Sequence, residues 1–171
     1  IKPGEALSLE NLLAIPTGAH SRQAAAKALV SEWERPVLGL EEFGKVEKDD
    51  VYFKLLSRRN GLNVLRVDGD LGLVRRLNVP AVLKMQPPAK DAPVYLFVSG
   101  SRENALDLTA ARKGSSLAAA DQEIHHYWTG VAYVAWKNFY HYQGIIPLDT
   151  SGESVTTLKM HLAEIGFPGL S

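Results

Sequence analysis

The segment Ser21–Trp33 sets the tightest limit on how this chain can fold. Ala24, Ala25, Ala28, Leu29 and, one turn on, Trp33 recur at helical spacing, and strong helix formers fill the positions between them. A helix whose inward face is mostly methyl groups lets its neighbour come close, and the simplest such neighbour is a sheet. The spacing predicts a helix over Ser21–Trp33 pressed on strands. Arg35-Pro36 should end it, because the residue before a proline avoids helical backbone.

The strands for that sheet follow. Pro80–Met85 and Val94–Val98 are near-continuous apolar runs, the pattern of strands covered on both faces, and Pro87–Pro93 between them reads as a hairpin-like loop. Leu62–Val67 alternates as a strand, Leu106–Leu108 reads as a short one, and Gly130–Trp136 as the last. Asp49–Arg59 is expected to be a second helix, with Val51, Tyr52, Leu55 and Leu56 on its apolar face and Asn60-Gly61 as its stop. Asp70–Leu77 reads as a short helix that Asp68-Gly69-Asp70 turns into and caps, and Ala118–Tyr127 as another helix. Lys2–Thr17 reads as a weakly structured entry anchored by Leu7, Leu9, Leu12, Leu13 and Ile15. Helices leading into antiparallel strands predict an α+β fold, with N-terminal helices packed on an antiparallel sheet.

After Pro147 the texture changes. Asp149–Ser154 has the composition of a linker, and Val155–Ile165 that of one amphipathic helix with Val155, Leu158, Leu162 and Ile165 as its stripe. The expected division is a main domain over residues 1–146 and an appendage over 147–171. The chain opens on Ile1 with no signal-like apolar run, and is read as a piece of a longer protein.

Composition narrows the functions. Nineteen basic and nineteen acidic residues cancel, so no global field draws in nucleic acid or an anionic membrane surface. No stretch approaches ~20 uninterrupted apolar residues, the length that spans a bilayer. There is no cysteine, which removes disulfides, thiolate metal sites and thiol catalysis together.

The candidate chemistry is sparse. Ser21 could be a nucleophile, but that needs a base within hydrogen-bond reach, and its neighbour His20 points another way on the helix. The alternative makes Ser21 a helix N-cap, its oxygen accepting from an amide two or three residues on. His125, His126 and His141 suggest a metal, yet the first two diverge on a helix. The positions three and four residues after them hold Trp128, Thr129 and Gly130, so no metal site is expected. His125–Trp128 should instead close a helix and pack its aromatics under the last strand. The run Trp136–Tyr142 suits a ligand groove or partner surface and a small core equally well. Asp68-Gly69-Asp70 lacks the further oxygens of a calcium loop, and Lys45–Asp50 reads as a mixed-charge solvated stretch. No cofactor is expected.

A set of motifs in fixed order carries a resemblance. They are the alanine-rich helix ending Trp33-Glu34-Arg35-Pro36, Asn60-Gly61-Leu62-Asn63-Val64, Val74–Leu83, Pro93–Gly100, and Tyr127-Trp128-Thr129-Gly130 leading into the final strand. From about Ile15 to Trp136 the chain resembles the papain-like, peptidase C39-like domain of the general secretion pathway protein A family. Those are bacterial inner-membrane proteins with a periplasmic region of this kind. Val155–Phe167 is similar to the first helix of a type 1 peptidoglycan-binding domain, with Lys159 where glutamine is usual. One helix cannot form its own core, so peptidoglycan binding would need the full module.

The resemblance implies a site that has lost its chemistry. The peptidase cysteine falls at about Ser21 and the histidine at Tyr95; the aspartate falls around Asp107–Ala110, with Asp107 the match in type. The oxyanion glutamine should lie just upstream of the nucleophile, and Asn11–Arg22 contains none. Loss of one triad member already costs orders of magnitude in rate. The resemblance therefore implies a non-catalytic domain, with Ser21, Tyr95 and Asp107 as remnants of a cleft. Its implied place is the periplasmic part of an inner-membrane protein, attached to the membrane through other parts of that protein. The domain would help assemble a secretin through the cell wall, with a protein of the secretion machinery as its implied partner. The alternative is a pseudo-peptidase whose old cleft holds an extended peptide by adding it to a sheet edge, since degenerate domains of this kind occur in peptide and toxin exporters.

Overall fold

A computed structural model describes residues 8–14, 18–88, 90–110 and 116–138. The chain divides into two compact units, Ile1–Lys137 and Asn138–Ser171, and the first is described below. The expected linker, the Val155–Ile165 stripe, His141 and the aromatics after Trp136 all lie outside the described residues.

Among the described residues eleven elements follow one another: α1 (Leu9–Ala14), α2 (Gly18–Ser31), α3 (Asp49–Arg59), β1 (Leu62–Asp68), α4 (Leu71–Leu77), β2 (Ala81–Met85), β3 (Val94–Arg102), β4 (Ala105–Thr109), β5 (Ser116–Ala120), α5 (Asp121–Tyr127) and β6 (Trp128–Lys137). The strands form one antiparallel sheet in the order β1-β6-β2-β3-β4-β5, so the last strand inserts between the first and second. This is the expected α+β architecture.

Side-chain alternation divides the interior into two cores. Val94, Leu96 and Val98 of β3 point to one face with Leu83, Met85, Ala132 and Val134, where Leu9, Leu12, Leu13, Leu71 and Ile124 cover them. Tyr95 and Phe97 point to the other face with Val82, Tyr133 and Ala135, under Ala25, Ala26, Leu29, Tyr52, Phe53 and Leu56. Strands covered on both sides have no polar face to show, which is why their sequences read as unbroken apolar runs.

The alanine-rich helix does press on the sheet, but its phase differs from the expected one. Ala25 and Ala26 are buried with Leu29 and Val30, whereas Ala24 and Ala28 are only half-buried. In α3 the buried face is Tyr52, Phe53 and Leu56, and Val51 and Leu55 are exposed. Apolar residues at 51, 52, 53, 55 and 56 make a broad stripe, and the packing of Phe53 on Tyr133, with ring centroids 4.2 Å apart, selects which part of it faces inward.

Two segments are more ordered, or ordered differently, than expected. The entry contains α1, where the Ser8 hydroxyl accepts from the Asn11 amide at 3.2 Å and Leu9, Leu12 and Leu13 are buried. Ala118–Ala120 is not helical: it completes β5, paired with Ala105–Asp107 of β4, and only Asp121–Tyr127 is helix. Pairing with a neighbouring strand here overrides the helix preference of three alanines.

The helix ends hold local signals as expected. Asp70 caps α4, its Oδ1 accepting from the Leu73 amide at 2.7 Å, and Asn78 closes that helix in the left-handed conformation. Asn60 ends α3 by donating to the Leu56 and Leu38 carbonyls and accepting from the Leu38 amide, which ties the segment after α2 to the start of β1.

Candidate functional site

The carboxylate of Asp49, in the first turn of α3, gathers three other elements. Its Oδ2 accepts from the Tyr95 phenol of β3 and from Lys84 Nζ of β2, each at 2.7 Å, and its Oδ1 accepts from Arg22 Nη1 of α2 at 3.0 Å. Arg22 is itself buried. It donates further to the carbonyls of Val46 and Glu47 and stacks its guanidinium 4.3 Å above the Tyr52 ring. Burial pushes the Asp49 carboxyl up, but the hydrogen bonds from Lys84, Tyr95 and Arg22 outweigh it and hold the group below the usual carboxylate range. Burial and the bond to Asp49 both push the Tyr95 phenol up, so it stays a neutral donor.

Ser21 lies beside this cluster and belongs to it through the backbone of Tyr95. Its Oγ donates to the Gly18 carbonyl at 2.8 Å and accepts from the Tyr95 amide at 3.2 Å, and the residue is buried. It is therefore not the N-cap that its sequence position suggests. The helix begins three residues earlier at Gly18, and the amide it accepts from is on another element. The neighbouring His20 is exposed.

Tertiary structure brings Ser21 and Tyr95 together and puts Asp107 elsewhere. Asp107 stands opposite Gly100, five residues further along β3 than Tyr95, where Arg102 holds it in an ion pair at 2.9 Å. His125 and His126 close α5, as expected, with their rings against Trp128 and Tyr127. Among the described residues, no three His, Cys, Asp or Glu side chains come together in a way that could hold a metal ion.

Three members of the cluster escaped the sequence reading. Asp49 falls in a stretch that reads as solvated, yet its side chain is only 11% exposed. The signal that could have found it is Lys84, the one charged residue in the apolar run of β2, since a lysine on a central strand must meet an opposite charge. Arg22 in the alanine-rich helix carries the same message. A second, more exposed cluster repeats the theme one residue along α3. The Tyr133 phenol donates to Asp50 at 2.5 Å, and Arg66 bridges Asp50 and Asp68.

What the first cluster can do is set by its bonding. A serine acts as a nucleophile by giving its proton to a base, and the Ser21 proton is directed at a backbone carbonyl, which is no base. An open cavity of about 360 Å³ lies between the start of α2, Lys84, Pro93 and Tyr95. Part of its wall is the bonded set Arg22, Asp49, Lys84 and Tyr95.

The sequence matches no family model and no curated protein. Solved structures do match. The peptidase domain of Streptococcus ComA, a bifunctional ABC transporter involved in quorum sensing, is similar over 72% of this chain and 96% of its own, at 15% identity and a TM-score of 0.56. The fold is that of C39 peptidase domains. A second such structure is the N-terminal peptidase C39-like domain of the toxin secretion ATP-binding protein from Vibrio parahaemolyticus. It is 12% identical over 69% of this chain and 97% of its own, with a TM-score of 0.52. A weaker likeness, with a TM-score of 0.44 and 14% identity, is to a periplasmic domain of the EpsAB fusion protein of the Vibrio vulnificus type II secretion system. It covers 61% of this chain and 45% of that one. Within this fold α2 and β3 meet at Ser21 and Tyr95.

Proposed function

We propose that this domain is a non-catalytic interaction module of a bacterial export system, a C39-like fold whose peptidase site has become structural. The observation that carries the reading is the bonding of Ser21: its proton is committed to Gly18 and its lone pair to the Tyr95 amide. Ser21 and Tyr95 stand where the motif order puts cysteine and histidine, and the Tyr95 phenol is a neutral donor locked on Asp49. A phenol in that state neither takes a proton from a hydroxyl nor passes one to a leaving amine.

The place that fits the resemblance is the periplasmic part of an inner-membrane protein of the general secretion pathway protein A kind. There the partner is a protein of the secretion machinery, and the domain helps seat a secretin in the cell wall. Peptidoglycan contact belongs to the complete binding module. A second reading, a pseudo-peptidase that holds an extended peptide, is favoured by the open cavity beside Lys84 and Tyr95.

The test has two arms. Incubation with a mixed peptide library should give no cleavage, and turnover that disappears in a Ser21→Ala variant would overturn the reading. Titration against the periplasmic part of the cognate secretin should give saturable binding that Ser21→Ala leaves intact.

A further inference from the structure

β1 forms one end of the sheet and pairs with β6 on one side. The phase of that ladder is set by the Gly69 amide, which donates to the Gly130 carbonyl at 2.7 Å in the same register. In an antiparallel ladder, directly bonded pairs alternate with non-bonded ones. Val67, Leu65 and Asn63 are therefore bonded to Ala132, Val134 and Trp136, whereas Leu62, Val64, Arg66 and Asp68 turn their N–H and C=O groups outward. The far side of β6 agrees: the Ala135 amide donates to Pro80, so the odd-numbered residues of β6 face β2 and the even-numbered ones face β1. Among the described residues, no backbone group takes up the outward bonds of β1.

The two faces beside this edge differ in chemistry. On one, Leu65, Leu77 and Trp136 are 43%, 40% and 37% exposed, and with Val79 and Val134 they line an apolar groove of about 280 Å³. On the other, Val64 packs on the core and Arg66 is held down by Asp50 and Asp68. Edge strands are commonly shielded by a proline, a bulge or a charged side chain lying across the edge. β1 pairs without a bulge, has no proline, and its arginine is tied back to α3. The opposite edge, β5, is only five residues long and has α1 packed against it.

We propose that β1 is a strand-addition site for an extended segment of a partner protein. The segment pairs antiparallel through the N–H and C=O groups of Val64 and Arg66. Its residue opposite Leu65 falls in a non-hydrogen-bonded pair, where side chains approach most closely, so that residue is apolar and packs along the groove. Its neighbours on either side face Arg66, Asp50 and Asp68 and are polar. Only an extended backbone can meet unpaired donors and acceptors at every second residue, which commits the occupant to a strand. The inference rests on the binding reading above and moves the contact from the cavity at Tyr95 to the end of the sheet.

The probe is an acetylated and amidated heptapeptide alternating threonine with valine and leucine, added to the whole chain while amide hydrogen exchange is followed by NMR. Exchange at Val64 and Arg66 should slow by about tenfold or more at saturation, while Leu65, already bonded to β6, stays unchanged. The same peptide N-methylated at alternate residues should give no protection, and Leu65→Lys should weaken binding by about tenfold. Protection confined to Ala19, Lys84 and Tyr95 would overturn strand addition at β1 and leave the non-catalytic binding reading standing. Protection of β1 that rises with protein concentration without peptide would make a second copy the occupant and overturn the proposal. No protection anywhere would overturn it as well. Cleavage of the peptide would instead defeat the non-catalytic reading on which the inference rests.

Discussion

The amide of Tyr95 donates to the hydroxyl of Ser21 at 3.2 Å, while the phenol of the same tyrosine donates to Asp49. One residue thus seals a buried hydroxyl with its backbone and anchors a carboxylate with its side chain. The two bonds join α2, α3 and β3.

Ser21→Ala should cost stability. It leaves the buried Tyr95 amide without its acceptor, a loss of about 1–3 kcal/mol readable as a lower urea midpoint. The reverse experiment is Ser21→Cys. Its thiol should be sluggish toward iodoacetamide at neutral pH, because the position is buried and burial disfavours the thiolate. Rapid alkylation would mean a base reaches this position in solution.

Asp49→Asn should be the most damaging single change in the cluster. It removes the charge that Arg22 and Lys84 share, leaving two cations partly buried, at a cost on the order of 3 kcal/mol. Chemical denaturation beside Lys84→Met, which removes one cation rather than the shared anion, should show the aspartate variant as the weaker.

The same residue sets part of the acid sensitivity. In the folded domain burial raises the Asp49 carboxyl, yet the bonds from Lys84, Tyr95 and Arg22 together bring it below the usual range, whereas in the unfolded chain it titrates near ~3.9. The unfolded state therefore takes up the proton first as pH falls. The stability Asp49 contributes is complete above about pH 5 and is lost as pH drops through the folded value. Stability of the parent protein between pH 7 and pH 3 should fall more steeply than that of Asp49→Asn, and parallel curves would show that the cluster does not hold the carboxylate ionised.

Ala25→Leu should overpack the contact between α2 and β3. Ala25 is 4% exposed within the core made with Val82, Tyr95 and Phe97, so three extra carbons must displace neighbours, at roughly 1–3 kcal/mol. Ala24→Leu, on the half-buried flank, should cost clearly less. Equal melting temperatures for the two variants would refute the phase of this helix on the sheet.

What neighbours along the chain determine separates cleanly from what only the assembled fold does. Element type follows from local patterns: the alanine-rich helix, the apolar runs of β2 and β3, the Asp70 cap and the Asn60-Gly61 stop are all visible in sequence, because backbone preference and side-chain period act within a few residues. Ala118–Ala120 escapes that reading, since its strand exists only because β4 lies alongside. The short α1 escapes it too, because six residues are too few to be helical alone and Leu9, Leu12 and Leu13 are held by the core. The meeting of Arg22, Asp49, Lys84 and Tyr95 joins residues up to 73 positions apart, from Arg22 to Tyr95. Their convergence depends on the register of β2 against β3 and on the rotation of two helices over that pair, quantities set by long-range packing. The sequence by itself determined that this chain lacks a thiol. Only the tertiary structure decided the surroundings of Ser21: a hydroxyl closed by a backbone amide, beside a carboxylate that holds three other elements to α3.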